Sequence, residues 1–477
     1  MGKYKRLGKN TLLVFVGNLG SKLIGLLMLP FYTKWLSVED YGVSDMISVY
    51  ARLLAYIVTC CIAESVFVFP KNASEDEKKK YFTSGLFFEF VMFAFTGIVF
   101  IIINYVAKEF EVKNTFVDNI FLIYFMLLSS SLQAISQQFT RSIDQMRVYS
   151  FTGIIVTICT VLFAFLMIPK WGVLGYVYSI MCAYIVGAVY SMLLSGAFKY
   201  VGFKYISKEY CKKMLVYSVP LIPNGVMWWL VNSLNRPVME EYLGLNSIGV
   251  YAVAGKFPSI ISMVFSVFAI SWQISVLEEY GKDSYQAFYN KILRYIMLLL
   301  SFVFLILTIL SKPLVHIFST ENFNEAWQYI PLLTFGVMFS NLSSFCGSTF
   351  SAVKQSKYFF YSSLWGALTA LVGNFVFIPW FGIWGCAIST ALSFFVMTIT
   401  RILYSLQYVK ITNGHKYIIM MLLNLVFIIL HHYVSSYIIL AFSAFIIFTI
   451  DCLMSKKHLR FVLNIVREKK LSDLIKK

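Results

Sequence analysis

Long apolar runs broken by short polar segments recur along the entire chain. VMFAFTGIVFIIINYV (91–106), IMLLLSFVFLILTIL (296–310) and YIIMMLLNLVFIIL (417–430) are three of them. A stretch of about 20 apolar residues crosses the hydrocarbon core of a bilayer as an α-helix. The polar breaks mark out fourteen predicted spans, the first six near 11–36, 41–69, 82–105, 117–140, 149–168 and 173–197. The next six fall near 213–238, 247–276, 290–310, 327–350, 358–378 and 383–408, and the last two near 416–431 and 436–454. The pattern predicts an all-α polytopic membrane protein. An even number of spans places both termini on one side.

Composition agrees. Of 477 residues, 59% are hydrophobic and only 13% charged, against roughly 25% charged in a soluble domain. The basic start, MGKYKRLGKN, is followed by a long run without a small-residue cleavage site, so no cleavable signal peptide is expected. The eight cysteines lie in or beside apolar spans without metal or redox spacing and read as small packing residues. The five histidines show no helical metal pattern, and His431 and His432 read as solvated loop residues. No metal, nucleotide-binding fingerprint or catalytic cluster appears, and the longest loops are short, so an enzyme is not expected.

The net charge of +17 raises nucleic acid as a partner, and the placement of the charges argues against it. The N-terminus, 70–81, 141–148, 198–213, 277–295, 353–357, 409–416 and the tail hold 30 of the 40 Lys and Arg. The opposite set of loops holds Lys34, Lys108, Lys113, Lys170 and Lys312. Such alternation places the basic set, with both termini, in the cytoplasm. The tail, 455–477, has apolar residues at helical spacing among its basic ones and reads as an amphipathic helix on an anionic leaflet.

An internal repeat organises the spans. IPKWGVLG (168–175) returns as IPWFGIWG (378–385), 210 residues later. At the same offset Gln145, Phe165, Ser179, Val186 and Ser195 match Gln355, Phe375, Ser389, Val396 and Ser405. Earlier the offset is 207, pairing Pro30 with Pro237, Leu36 with Leu243 and Gly42 with Gly249. Two six-span units follow, 1–205 and 206–410, with spans 13 and 14 at 411–454. Units with an even span number share one orientation, and transporters place substrate where such repeats meet.

LSVEDYGVSDM (36–46) and IPWFGIWGCAISTALS (378–393) resemble the polysaccharide (O-antigen-type) flippase branch of the MOP transporter superfamily, over about residues 5–408. That superfamily also contains the lipid II flippases and the MATE multidrug exporters. The resemblance implies two six-helix lobes forming a V around a central cavity, in a bacterial cytoplasmic membrane. The implied cargo is an undecaprenyl-diphosphate-linked oligosaccharide, moved from inner to outer leaflet by alternating access alongside glycan-assembling enzymes. A lipid II-type flippase and a MATE-like cation antiporter are the alternatives.

Ionisable groups inside spans are costly and by default functional. Lys22 lies near the middle of span 1; Asp45, Arg52 and Glu64 lie in span 2, Arg236 in span 7 and Lys256 in span 8. Asp45, Ser48, Arg52 and Tyr56 form one helical stripe. By helical rise, Arg52 and Lys22 lie roughly 18–20 Å below the outer ends of their spans. The 207 offset sets Lys256 one turn from the position equivalent to Arg52. Lys22, Arg52, Arg236 and Lys256 are thus the candidate ligands of an anionic cargo, Arg by bidentate bonding and Lys as a point charge. Pairing of Lys22 or Arg52 with Glu89, and of Arg236 with Glu240, is the structural alternative. Gln133, Gln137, Gln138, Asn224, Trp228, Trp229, Asn232, Asn235 and Gln273 are candidate sugar contacts. Asp45 and Glu64 are candidates for coupling to H⁺ or Na⁺.

Overall fold

A computed structural model describes residues 24–434 and 436–454. Lys22 and the basic tail lie outside the described residues. Among those described, every regular element is helical. Ten helical stretches are long and apolar enough to cross a membrane, eleven with a bent pair in span 2. Two of these, Met146–Leu194 and Lys208–Glu279, are too long for one crossing. Each is divided by a glycine with non-helical dihedrals, Gly172 and Gly244. That gives thirteen. The outer part of span 1, Leu29–Trp35, belongs to the fourteenth.

Local chemistry starts the helices where the polar breaks fall. Ser37 and Asp40 form a capping box at the start of span 2 (Val38–Val58), and Ser74 and Glu77 do so for span 3 (Glu75–Glu109). Span 2 departs from the single span expected over 41–69. It stops at Val58, resumes at Ile62, and bends by 61°. Cys60 and Cys61 have φ of 48° and 54°. Short side chains bond the carbonyls beside the break: Thr59 Oγ1 donates to Ala55 O at 2.7 Å, which also accepts from Thr59 N, while Cys60 donates to Ile57 O and Cys61 to Tyr56 O. Small residues that satisfy a broken helix locally leave no gap in an apolar pattern.

The repeat is written into the geometry. Gly172 has φ 53° and ψ −128°, and Gly382 has φ 57° and ψ −134°. Both match the first central residue of a type II′ turn, which requires glycine. Gly175 packs on the Met167–Ile168 backbone, and Gly385, 210 residues on, packs on Phe377–Ile378. The same hairpin of helices is therefore built twice, as spans 5 and 6 and as spans 11 (Lys357–Phe381) and 12 (Ile383–Ser405). Even the helix contact recurs with sides exchanged: Gly187 faces Val156, while Gly366 faces Met397.

The two six-span units meet on the side of these reversals. A Cβ on Gly42 would run into the carbonyl of Leu245, and one on Gly249 into the carbonyl of Val38. Since 38 and 245, like 42 and 249, are 207 apart, the contact is reciprocal and lies on the axis relating the repeats. Two bonds flank it symmetrically. Thr320 N donates to Thr33 Oγ1 at 3.3 Å, and Thr115 N donates to Glu240 Oε1 at 2.6 Å. Each ties the outer end of the first span of one unit to the connection after the third span of the other. On the opposite face, the inner part of span 7 (Lys208–Ser218) packs against the first unit, with Met214 buried among Ile62, Val66, Phe82, Ile135 and Phe139.

Spans 13 (Gly414–Tyr433) and 14 (Tyr437–Met454) attach to span 9 (Tyr285–Phe318). Ser301 donates to Asp451 Oδ2 at 2.7 Å and contacts Asn424 Oδ1 at 3.2 Å. His431 is corrected from a solvated loop residue. It is buried in the last turn of span 13, because that face of the helix packs against the Trp327 ring and sets the imidazole 3.4 Å from Ser311 Oγ.

Candidate functional site

The side chains on the less buried face of span 2 converge with span 7 and span 8. Asp45, Ser48 and Tyr56 are half-buried and Arg52 is exposed, whereas Met46, Ile47 and Val49 are fully packed. The stripe therefore faces the space between the lobes. Asp45 Oδ2 accepts from Arg236 Nε at 3.2 Å, and both side chains are under one-fifth exposed. Arg236 also donates to Asn232 O and to Asn235 Oδ1, and lies 4.8 Å from the Tyr251 ring. This corrects the expected Arg236–Glu240 pair. Glu240 turns away to bind Thr115 N and Tyr50 Oη, since its position on span 7 faces the other lobe.

Asp45 also senses the charges of Arg52 and Lys256. Neither of these has an ion pair among the described residues. Arg236 alone is bonded to Asp45, and Arg52 and Lys256 lie within its electrostatic reach, so cations outnumber the carboxylate in this part of the lobe interface. Glu89 does not neutralise Arg52. It is 2% exposed, and neither carboxylate oxygen has a hydrogen-bond partner among the described residues. Glu64 is exposed and accepts from Gln138 at 3.3 Å.

Seven of the candidate sugar contacts fall into three groups. Gln133 donates to Gln137 at 2.7 Å, and Gln137 to Tyr149 O at 2.9 Å, so these two join spans 4 and 5. Asn235 bonds Tyr251 and Thr390, and Trp229 donates to Val49 O at 2.9 Å, fastening span 7 to its neighbours. Asn224, Trp228 and Gln273 instead line a cavity of about 810 Å³ within the second lobe. Asn232, exposed, donates back to Trp228 O along the same helix.

That cavity holds a residue the sequence reading passed over. Arg401 of span 12 is only 3% exposed and lines it with Lys357. Counting charges span by span was enough to find it, since Arg401 sits inside 383–408. A second cavity, about 830 Å³ and lined almost wholly by apolar side chains, lies between spans 9, 10, 12 and 13; Met297, Phe339, Leu392, Ile418 and Leu425 are among its walls. Among the described residues no cluster of His, Cys, Asp and Glu has the grouping of a metal site.

Comparison with known proteins agrees with this architecture. Residues 7–272 match the family described as polysaccharide biosynthesis protein, and residues 222–376 match the MatE family. An uncharacterized membrane protein of Methanocaldococcus jannaschii is 22% identical, over 81% of this chain and 94% of its own length. The capsular polysaccharide biosynthesis protein CapF of Staphylococcus aureus is 23% identical, over 40% of this chain and about half (48%) of its own. Among solved structures, the lipid II flippase MurJ in an inward closed conformation superposes with a TM-score of 0.68 at 16% identity, covering 94% of this chain and 99% of that one. An inward-facing MATE family transporter gives 0.64 at 11% identity, covering 83% and 93%. The outward-facing form of such a transporter gives 0.57, covering 83% and 94% at 12% identity. Family match, repeat geometry and fold agree: the chain is a membrane transport protein of the polysaccharide biosynthesis protein family, the polysaccharide flippase branch of the MOP superfamily.

Proposed function

We propose that this protein moves an oligosaccharide carried on undecaprenyl diphosphate from the inner to the outer leaflet of a bacterial cytoplasmic membrane, by alternating access. The observation that carries the reading is the cation excess around Asp45. Arg236 binds Asp45, with Arg52 and Lys256 within electrostatic reach, in a zone flanked by low-dielectric helices, where an anionic group finds attraction and a cation does not. Such a site favours a diphosphate head group and disfavours the cationic drugs of a MATE-like exporter. The apolar cavity beside span 13 suits an isoprenoid tail. A lipid II-type precursor presents the same diphosphate and stays as the second reading, on the strength of the flippase fold.

In this reading the reversal face is the outer face, the basic loops and both termini are cytoplasmic, and the chain is closed outwards. Opening outwards breaks the Asp45–Arg236, Glu240–Thr115 and Thr33–Thr320 contacts together. Asp45 then exchanges Arg236 for another cation, which makes it, with Glu64, the candidate for H⁺ or Na⁺ coupling. Glycan-assembling enzymes are the proposed partners, and the chain itself performs no bond chemistry.

The test is complementation of a strain lacking its own flippase, with Arg52→Ala, Lys256→Ala and the double variant at matched membrane levels. Each single change is expected to weaken surface glycan and the double change to abolish it. Full surface glycan in the double variant refutes the reading.

A further inference from the structure

Arg401 is a buried cation held entirely by neutral groups. Its Nε donates to Ser362 Oγ at 3.0 Å, one terminal nitrogen to Ser343 O at 3.0 Å, and the other to Ser363 Oγ at 3.4 Å. The rings of Phe359 and Trp228 lie 5.3 Å and 6.0 Å from its guanidinium carbon. Among the described residues no carboxylate pairs with it. A charge removed from water without a counter-ion is strongly disfavoured, and inside membranes such groups mark substrate paths.

The internal repeat shows that packing does not demand this charge. Subtracting 210 places Ser191 at the position of Arg401 and Thr152 at that of Ser362. In the first lobe these two close the same helix crossing with a hydroxyl–hydroxyl bond of 2.8 Å. The hairpin is built either way, and only the second lobe adds a cation.

What that cation faces is the 810 Å³ cavity, which also receives Lys357, Ser348, Asn224 and Gln273. The volume falls in the usual range for ligand sites. Lys357 opens the 25-residue helix of span 11, whose N-terminal dipole adds positive potential at the cavity wall. The cavity lies on the face opposite the reversals. From it, Asn224, Trp228, Asn232 and Arg236 follow at four-residue steps along span 7, so Trp228 and Arg236 are about 12 Å apart along the axis. One polar stripe links the Arg401 cavity to the cations around Asp45.

We infer that the Arg401–Lys357 cavity is a separate anion-binding subsite that takes a phosphate group of the lipid-linked cargo on the loading side, before the group passes along span 7 to Arg236, Arg52 and Lys256. This rests on the transport reading above. A hydroxyl-rich wall with two cations and flanking aromatic rings suits a phosphate bearing a sugar.

Binding to the purified full-length protein in phosphatidylcholine nanodiscs tests it, with radiolabelled farnesyl diphosphate as probe. Arg401→Ser installs the residue of the first lobe, and Lys357→Ala removes the other cation. Each is expected to weaken farnesyl diphosphate binding, Arg401→Ser at least tenfold, with farnesol binding unchanged. Inorganic pyrophosphate is expected to compete in the wild type. Because the central cations bind a diphosphate themselves, the subsite is read in the Arg52→Ala/Lys256→Ala background. The farnesyl diphosphate binding left there should be lost on adding Arg401→Ser, and absence of any binding in that background overturns the separate subsite. Wild-type affinity in folded Arg401→Ser overturns the inference, as does equal loss of farnesol binding. Competition by phosphatidylglycerol as strong as by farnesyl diphosphate overturns the assignment to cargo. Where Arg401→Ser does not fold, unchanged affinity in Lys357→Ala overturns it instead. The central-site reading stands or falls separately, by complementation.

Discussion

Replacing Gly249 with alanine should drive the lobes apart at the face where they now meet. The new methyl group points at the carbonyl oxygen of Val38, on a helical backbone that cannot rotate away. A carbon and a carbonyl oxygen rest about 3.3–3.6 Å apart, so spans 2 and 8 must separate by roughly 1.5 Å. A gap of that size forfeits about half or more of each dispersion contact across the crossing. Overpacking of this kind costs about 1–3 kcal/mol, and it acts only in the state where the helices touch. With tenfold per about 1.4 kcal/mol, the closed-to-open ratio at this face falls roughly 5- to 150-fold. Spin labels at Trp171→Cys and Trp380→Cys, both exposed beside the two reversals, report the separation in a background without native cysteines. Gly249→Ala, and Gly42→Ala by the reciprocal contact, should enrich a longer distance. Gly255→Ala, on the same helix but with nothing within 4 Å, should not. A folded Gly249→Ala protein with the wild-type distribution would refute the axis contact as the outer closure.

Two further perturbations probe the folded state. Glu89→Gln keeps shape while removing a charge that has no partner among the described residues; thermal unfolding in detergent should be unchanged or slightly raised, and a loss above about 1.5 kcal/mol would reveal a buried ion pair. Gly382→Ala forces a side chain into φ 57°, ψ −134°, costing about 1–3 kcal/mol, and Gly172→Ala should cost the same, because the turns are copies. Unequal costs, measured by the same melts, would show that the two hairpins are not equivalent.

The architecture was legible because lipid leaves little freedom: apolar length fixes each crossing, and Pro and Gly fix each reversal. The 210-residue echo predicted two hairpins whose glycine dihedrals agree within about ten degrees. The break in span 2 was hidden, since Thr59, Cys60 and Cys61 bond the carbonyls beside it with their own side chains and read as ordinary span residues. Helical spacing placed Asp45, Arg52 and Tyr56 on one face, but which partner Arg236 takes depends on how two lobes dock. Glu240 was nearer in sequence; Asp45 is nearer in space. Amides carry no directional signal, so Gln133 and Gln137 could not be told apart from Asn224 and Gln273. Arg401 was visible as a charge inside a span, and its meaning came only from the cavity it faces.

If the cations at the lobe interface recognise a diphosphate on a lipid-linked glycan, transport must depend on that diphosphate. Reconstitution into proteoliposomes, with a fluorescent polyprenyl-diphosphate oligosaccharide in one leaflet and quenching from the other side, measures it directly. Wild-type protein should move this lipid and leave the matching uncharged polyprenyl glycoside in place, and Arg52→Ala/Lys256→Ala should move neither. Equal transport of charged and uncharged lipids, or wild-type rates in the double variant, would contradict recognition of the diphosphate by these cations.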